Sequence, residues 1–186
     1  MLNLKVDISE VDTGYEALVR SLKKMQGKGV DVGIQASEDS ELLKIANANE
    51  FGAEIDHPGG TPYVITKQGV RFVSKSSPIV HGVTKPHKIN IPSRPFIRQT
   101  FVKREQELAK IGFQLAKTVL DDKLTVNQAL LNWGDLFVSF IRSEVADGNN
   151  FEPNKAATVR KKGSGKHPLQ DSGRLMQALK AVIVEV

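Results

Sequence analysis

The sequence predicts an α+β fold: a small mixed or antiparallel sheet packed against a long helical hairpin, with a β-hairpin arm inserted ahead of it. Two stretches, Ile97–Val119 and Val126–Val145, keep apolar residues at helical spacing for roughly six turns each. Short segments near both ends and in the middle alternate apolar and polar residues, as half-buried strands do. Six of the eight prolines fall between Pro58 and Pro95, and a stretch so poor in backbone donors belongs to neither helix.

In chain order, Leu2, Leu4, Val6 and Ile8 alternate with polar neighbours and predict a first strand. Asp12 or Thr13 caps a helix carrying Tyr15, Leu18, Val19, Leu22 and Met25, which Gly27 and Gly29 stop. Val30, Val32 and Ile34 read as a second strand, and Ser40 caps a short helix that ends at Phe51-Gly52. Residues 57–92 form the arm. Its hairpin pairs Tyr63–Thr66 with Val70–Val73 around Lys67-Gln68-Gly69, and a polar, basic loop from Ser74 to Lys88 returns to a strand at Ile89 and Ile91. Long excursions of this kind are usually functional or mobile, and this one is expected to touch a neighbour.

Pro92 and Pro95 close that strand. Pro95 suits the first turn of a helix, with Ser93 or Arg94 at the cap. The main helix then presents Ile97, Phe101, Leu108, Ile111, Leu115 and Val119 along one stripe and ends near Asp121-Asp122. Thr125 caps the second long helix, which runs through Trp133, Phe137 and Ile141 to Gly148. Gly112 and Gly134, each costing about 1 kcal/mol against alanine inside a helix, mark either close helix–helix approach or tolerated surface positions. Residues 149–168 lack periodicity and read as a mobile basic loop. Asp171 or Ser172 caps a last short helix with Leu175, Met176 and Leu179, and Ala181–Val186 closes the chain as a strand.

At 186 residues the chain fits one domain. No apolar run approaches the ~20 residues of a membrane span, so a soluble protein is expected. The N-terminal residues lack the pattern of a secretory signal, and the absence of cysteine excludes disulfides and thiol chemistry, in keeping with an intracellular origin. The net charge of +5 is segregated. From Asp31 to Asp56 seven acids face Lys44 alone, a net of −6, whereas from Thr61 to Lys110 ten basic residues face two acids, a net of +8. Such a chain can pair head to tail with copies of itself and close into a ring, or it can simply carry solvated faces that differ.

Little points to catalysis. His57, His81, His87 and His167 lie in Pro/Gly-rich loops without the spacing of a metal pair, and Gly163-Ser164-Gly165-Lys166 lacks the preceding strand of a phosphate-binding loop. The adjacent acids Asp121-Asp122 and Glu38-Asp39 read as polar clusters at element ends. No catalytic, cofactor-binding or metal-ligating residue is predicted. Nonspecific nucleic-acid binding is the alternative, because Lys155, Arg160, Lys161, Lys162 and Lys166 carry phosphate-seeking charge, although no base-reading element accompanies them.

Three stretches taken in order, Ala46-Asn-Ala-Asn49-Glu-Phe-Gly52, Ile91-Pro-Ser-Arg-Pro-Phe96 and Pro168-Leu-Gln-Asp-Ser-Gly-Arg-Leu175, resemble a family of tailed-bacteriophage proteins. These are the tail-component or tail-completion proteins of the head–tail joining region, to which the Mu-type virion morphogenesis proteins are similar. The resemblance spans about Asn47 to Val184, with Ser172 where threonine is common. It implies a nonenzymatic structural protein forming a homo-oligomeric ring, a hexamer, at the neck of the virion, assembled in the host bacterial cytoplasm. Its partners would be copies of itself, the connector or adaptor, and the tail tube or tail terminator, with no cofactor and no membrane. On that reading the subunit and partner contacts come from Tyr63, Arg71, Lys85 and His87 of the arm, from Arg94 and Arg98 at the junction, and from Glu50 and Glu54 of the acidic segment. The basic loop, Lys155, Arg160, Lys161, Lys162 and Lys166, would face DNA in the channel or another neck protein.

Overall fold

The computed structural model describes residues 13–155, 158–159, 167–170 and 172–186. The order of elements is α1 (Thr13–Met25), β1 (Lys28–Ile34), α2 (Ser40–Phe51), β2 (Ala53–His57), β3 (Pro62–Thr66), β4 (Gly69–Phe72), β5 (Gly82–Val83), β6 (His87–Ile91), α3 (Phe96–Leu120), α4 (Val126–Asp147), α5 (Arg174–Gln177) and β7 (Leu179–Glu185). This is an α+β fold in which antiparallel strands pack against a long helical hairpin. The strand expected at Leu2–Ile8 lies outside the described residues.

β1 and β7 pair antiparallel, from Lys28 opposite Glu185 to Ile34 opposite Leu179. Val30, Val32, Leu179 and Ala181 therefore share one face, and that face lies on α4. The approach is close because Gly134 has no side chain: a Cβ there would stand 2.6 Å from Ala181 Cβ and 2.8 Å from Val30 Cγ2. Gly134 thus serves helix–sheet contact rather than helix–helix contact. Gly112 is the helix–helix position, where a Cβ would meet Trp133 Nε1 at 3.4 Å. The same indole N–H donates to Leu108 O at 2.9 Å, fixing α3 and α4 side by side.

The main core joins Phe96 and Leu108 of α3, Phe137, Ile141 and Val145 of α4, Leu42 and Ala46 of α2, and Leu175 and Leu179 beyond the basic loop. A smaller cluster of Val119, Val126 and Ala129 closes the far end of the hairpin. Thr125 caps α4 with a full capping box to Gln128, and Gly148 ends it at φ +67°. At the turn between the helices Asp121 ion-pairs with Lys123, and Asp122 takes the left-handed conformation at φ +54°, which aspartate tolerates better than most residues.

Three local expectations are corrected. The cap of α2 is Asp39, whose carboxylate accepts from Glu41 N, and Ser40 is already helical. Pro95 occupies the cap position of α3 and Phe96 opens the helix. Ser172 does not cap α5; Gly173, at φ +79°, stands there, Leu179 belongs to β7, and Asp171 lies outside the described residues.

Candidate interaction surface

The arm leaves the domain after α2 and returns directly into α3, so both of its roots lie within a few residues of one another. β2 and β6 form its base, pairing from Ala53 opposite Ile91 to His57 opposite His87, whose rings stack with centroids 4.9 Å apart. Beyond the base, β4, β3 and β5 form a second small antiparallel sheet. The strands of the arm pack on one another and on little else in the chain. The strand β2 was not foreseen, because Ala53-Glu-Ile-Asp-His57 lacks the β-branched character of a strand apart from Ile55.

A dense set of hydrogen bonds holds the roots. α3 has no side-chain cap of its own, and the Glu50 carboxylate reaches across from α2 to accept from Ile97 N at 3.0 Å and Arg98 N at 3.1 Å. Arg98 Nε completes the pair at 3.0 Å, its Nη2 donates to Glu50 O at 2.7 Å, and its guanidinium lies 4.6 Å over the Phe51 ring. Ser93 Oγ also donates to Glu50 O. Gly52, at φ +79°, cannot carry a side chain without crowding Ile91 O and Ser93 N, each 3.3 Å from the position of a Cβ.

Arg94 is folded inward. Its backbone N–H donates to Asn49 O at 2.5 Å, and its guanidinium donates to Glu152 O, Pro153 O and Asn49 Oδ1. Burial pushes its pKa below the ordinary arginine value, against the opposing effect of the Glu152 carboxylate. Arg94 and Glu50, both expected at a partner contact, are 8% and 5% exposed and bind this chain's own backbone. Arg98 keeps about half of its side chain in solvent while it holds Glu50. The first two motif stretches, around Asn49–Gly52 and Ile91–Phe96, turn out to be hydrogen-bonded to one another, and Leu175 of the third enters the same core.

The remaining residues of interest sit on the arm or beside it. Arg71 and Lys85 are exposed, and Tyr63 packs against Gly82, where a Cβ would come within 2.8 Å of its hydroxyl. His87 Nδ1 lies 2.8 Å from Lys85 O, and Glu54 ion-pairs with Lys88 across the base. Lys155 Nζ donates to Asn90 O at 3.3 Å, while Arg160, Lys161, Lys162 and Lys166 lie outside the described residues.

Folding pairs part of the segregated charge of the sequence. Of the seven acids between Asp31 and Asp56, Glu38 pairs with Lys180, Asp39 with Arg174, Glu50 with Arg98 and Glu54 with Lys88. On the basic side, Lys103 pairs with Glu144 and Arg104 with Glu107. Lys67, Arg71, Lys75 and Lys85, all on the arm, make no ion pair among the described residues.

What the arm offers instead is apolar surface. Register places Tyr63, Ile65, Val70 and Phe72 on one face of the β3–β4 hairpin and Val64 and Arg71 on the other. Ile65 is 60% exposed, Val70 50% and Phe72 59%, so a face patterned for burial has no layer over it among the described residues. An open cleft of about 540 Å³ between α2, β6 and α5 has its arginines, Arg94 and Arg174, already engaged within the chain. Among the described residues no group of three His, Asp or Glu side chains converges as metal ligands would, and no helix is long and apolar enough to cross a membrane. Compared with known protein families, curated proteins and solved structures, the chain matches none.

Proposed function

We propose that this chain is a structural subunit of a tailed-phage virion that forms a ring at the head–tail junction. The observation that carries the reading is uncovered surface. The chain exposes 13385 Å², where a compact monomer of its 20.4 kDa would expose about 8,800 Å². Granting each of the 22 residues outside the described set a full extended-chain surface of about 160 Å², and taking about 8,000 Å² for a compact body of the other 164, still leaves an excess of about 1,800 Å². Two standard interfaces ask each subunit for about 800 Å² apiece, which is what a subunit with a neighbour on either side contributes. The resemblance of the three sequence stretches supplies the virion context, and the hydrogen-bonded roots give the arm a fixed direction of departure.

Nucleic-acid binding is the second reading, favoured by the four cations of the arm that make no ion pair among the described residues. Multi-angle light scattering of the purified chain separates the two. A ring of six copies would have a mass near about 120 kDa, formed by the chain alone or upon mixing with the connector and tail-tube proteins of the same virion. A monomer that retards DNA in a salt-sensitive manner, and never assembles on connector or tail tube, would overturn the ring reading in favour of the second.

A further inference from the structure

We infer that the apolar face of the arm of one copy seats in the groove at the opposite end of the helical hairpin on the next copy. The inference rests on the ring reading and names the contact that would build it. The groove has a volume of about 370 Å³ and is lined by Met25, Val30, Leu115, Val119 and Trp133 together with Lys28, whose Nζ donates to Asn127 Oδ1. The arm face consists of Tyr63, Ile65, Val70 and Phe72, of which the last three are half or more exposed. One surface is concave and the other projects, and neither has a cover among the described residues.

Position makes the contact intermolecular. The arm re-enters the domain immediately before Phe96, whereas the groove borders α3 at Gly112–Val119, about 24–35 Å further along the helix at 1.5 Å per residue. The two surfaces therefore stand at opposite ends of one rigid rod. A contact between different surfaces on successive copies is heterologous, and such contacts generate rings when the rotation closes.

Area agrees with this occupant, and charge disfavours the alternative of arm on arm. The exposed parts of Ile65, Val70 and Phe72 amount to about 300 Å² of apolar surface, the size of the centre of an interface to which each partner gives about 800 Å². Arg71 points from the other face of the hairpin and Lys67 lies in its turn, so neither cation enters the groove. Arm-on-arm pairing between copies would instead oppose Lys67, Arg71, Lys75 and Lys85 with themselves.

The chain contains no cysteine, so single substitutions give clean cross-links. Phe72→Cys and Ala116→Cys chains, mixed and oxidised, are expected to yield a disulfide-linked dimer that neither variant forms alone. A Phe72→Ala chain should keep its fold by circular dichroism and self-associate about 30-fold more weakly, the loss typical of an interface anchor. A dimer from the Phe72→Cys chain alone would mean arm-on-arm pairing, and a link within one chain carrying both substitutions would mean that each arm covers its own groove. Either result overturns the inference. If light scattering finds the ring but the mixed dimer is absent, the contact is wrong and the ring stands; if no assembly forms under any condition, both fall.

Discussion

Replacing Glu50 by alanine should lower the stability of the folded chain by about 3 kcal/mol. Its residue is 5% exposed, and its carboxylate accepts from two backbone N–H groups of α3 and from Arg98 Nε. α3 has no other side-chain cap, so the substitution leaves those two donors facing a dry cavity. A lost cap costs about 1 kcal/mol, a buried hydrogen bond to an ionised group about 1.5–3 kcal/mol, and the favourable carboxylate at the helix N-terminus about 0.3–1 kcal/mol. These contributions overlap, and Arg98 with half its side chain in water recovers hydration, which holds the total near 3 kcal/mol. In a chain of this length that is a fall of about 6–12 °C in Tm. Glu50→Gln keeps the shape and one acceptor and should lose about half as much. Urea and thermal unfolding followed by far-UV circular dichroism measure both. A Glu50→Ala chain within about 0.5 kcal/mol of the parent would refute the idea that Glu50 ties the two roots of the arm together.

Two further predictions test the packing and the charge pairing. Gly134→Ala should destabilise by about 1–3 kcal/mol despite the better helix propensity of alanine, because the added Cβ collides with Ala181 and Val30; Gly112→Ala, which meets only Trp133 Nε1 at 3.4 Å, should be neutral or stabilising by up to about 1 kcal/mol, and equal melting of the two variants would refute the close helix–sheet approach. Asp39 accepts from Glu41 N and from Arg174, and these bonds, the backbone one foremost, hold its pKa below the ordinary 3.8. Its folded pKa being depressed, its contribution is fully present above pH 3.8 and is lost as pH falls through the lower folded value. Urea midpoints taken through that acid range should therefore fall less steeply for Asp39→Asn than for the parent, and parallel profiles would refute the assignment.

The parts of the fold that were legible in the sequence are those specified by local chemistry. Thr125 and Gln128 cap α4 within one turn, Gly148 ends it, and the alternation of β1 and of the hairpin is visible without any partner. What escaped depended on residues far apart in the chain. Glu50 lies 47 residues from Ile97, whose N–H it accepts, and nothing in Asn49-Glu50-Phe51 marks the glutamate as a cap for a helix not yet begun. The direction of Arg94 was equally hidden, since an arginine between two prolines looks solvated until Glu152 O and Pro153 O are brought to it. Counting charges along the chain misled for the same reason. Glu38 and Asp39 find Lys180 and Arg174 more than 130 residues away, so the linear count overstates the free acidic charge, of which Asp31, Glu41 and Asp56 stay exposed.

With four of the seven acids paired inside the chain, the proposed ring leans on shape more than on charge. Four cations of the arm make no ion pair among the described residues, so two arms repel, while the arm's apolar face still has about 300 Å² to cover. α3 fixes the geometry of the remaining solution. It is 25 residues long, about 37 Å at 1.5 Å per residue, with the arm hydrogen-bonded to its first turn and the apolar groove beside its second half. Because Trp133, Gly112 and Gly134 lock α3, α4 and the β1–β7 sheet to one another, the helix cannot bend to bring the two ends together within a copy. On the proposed reading, a rigid rod with a projecting apolar face at one end and an apolar groove near the other would cover both by adding a neighbour at each end.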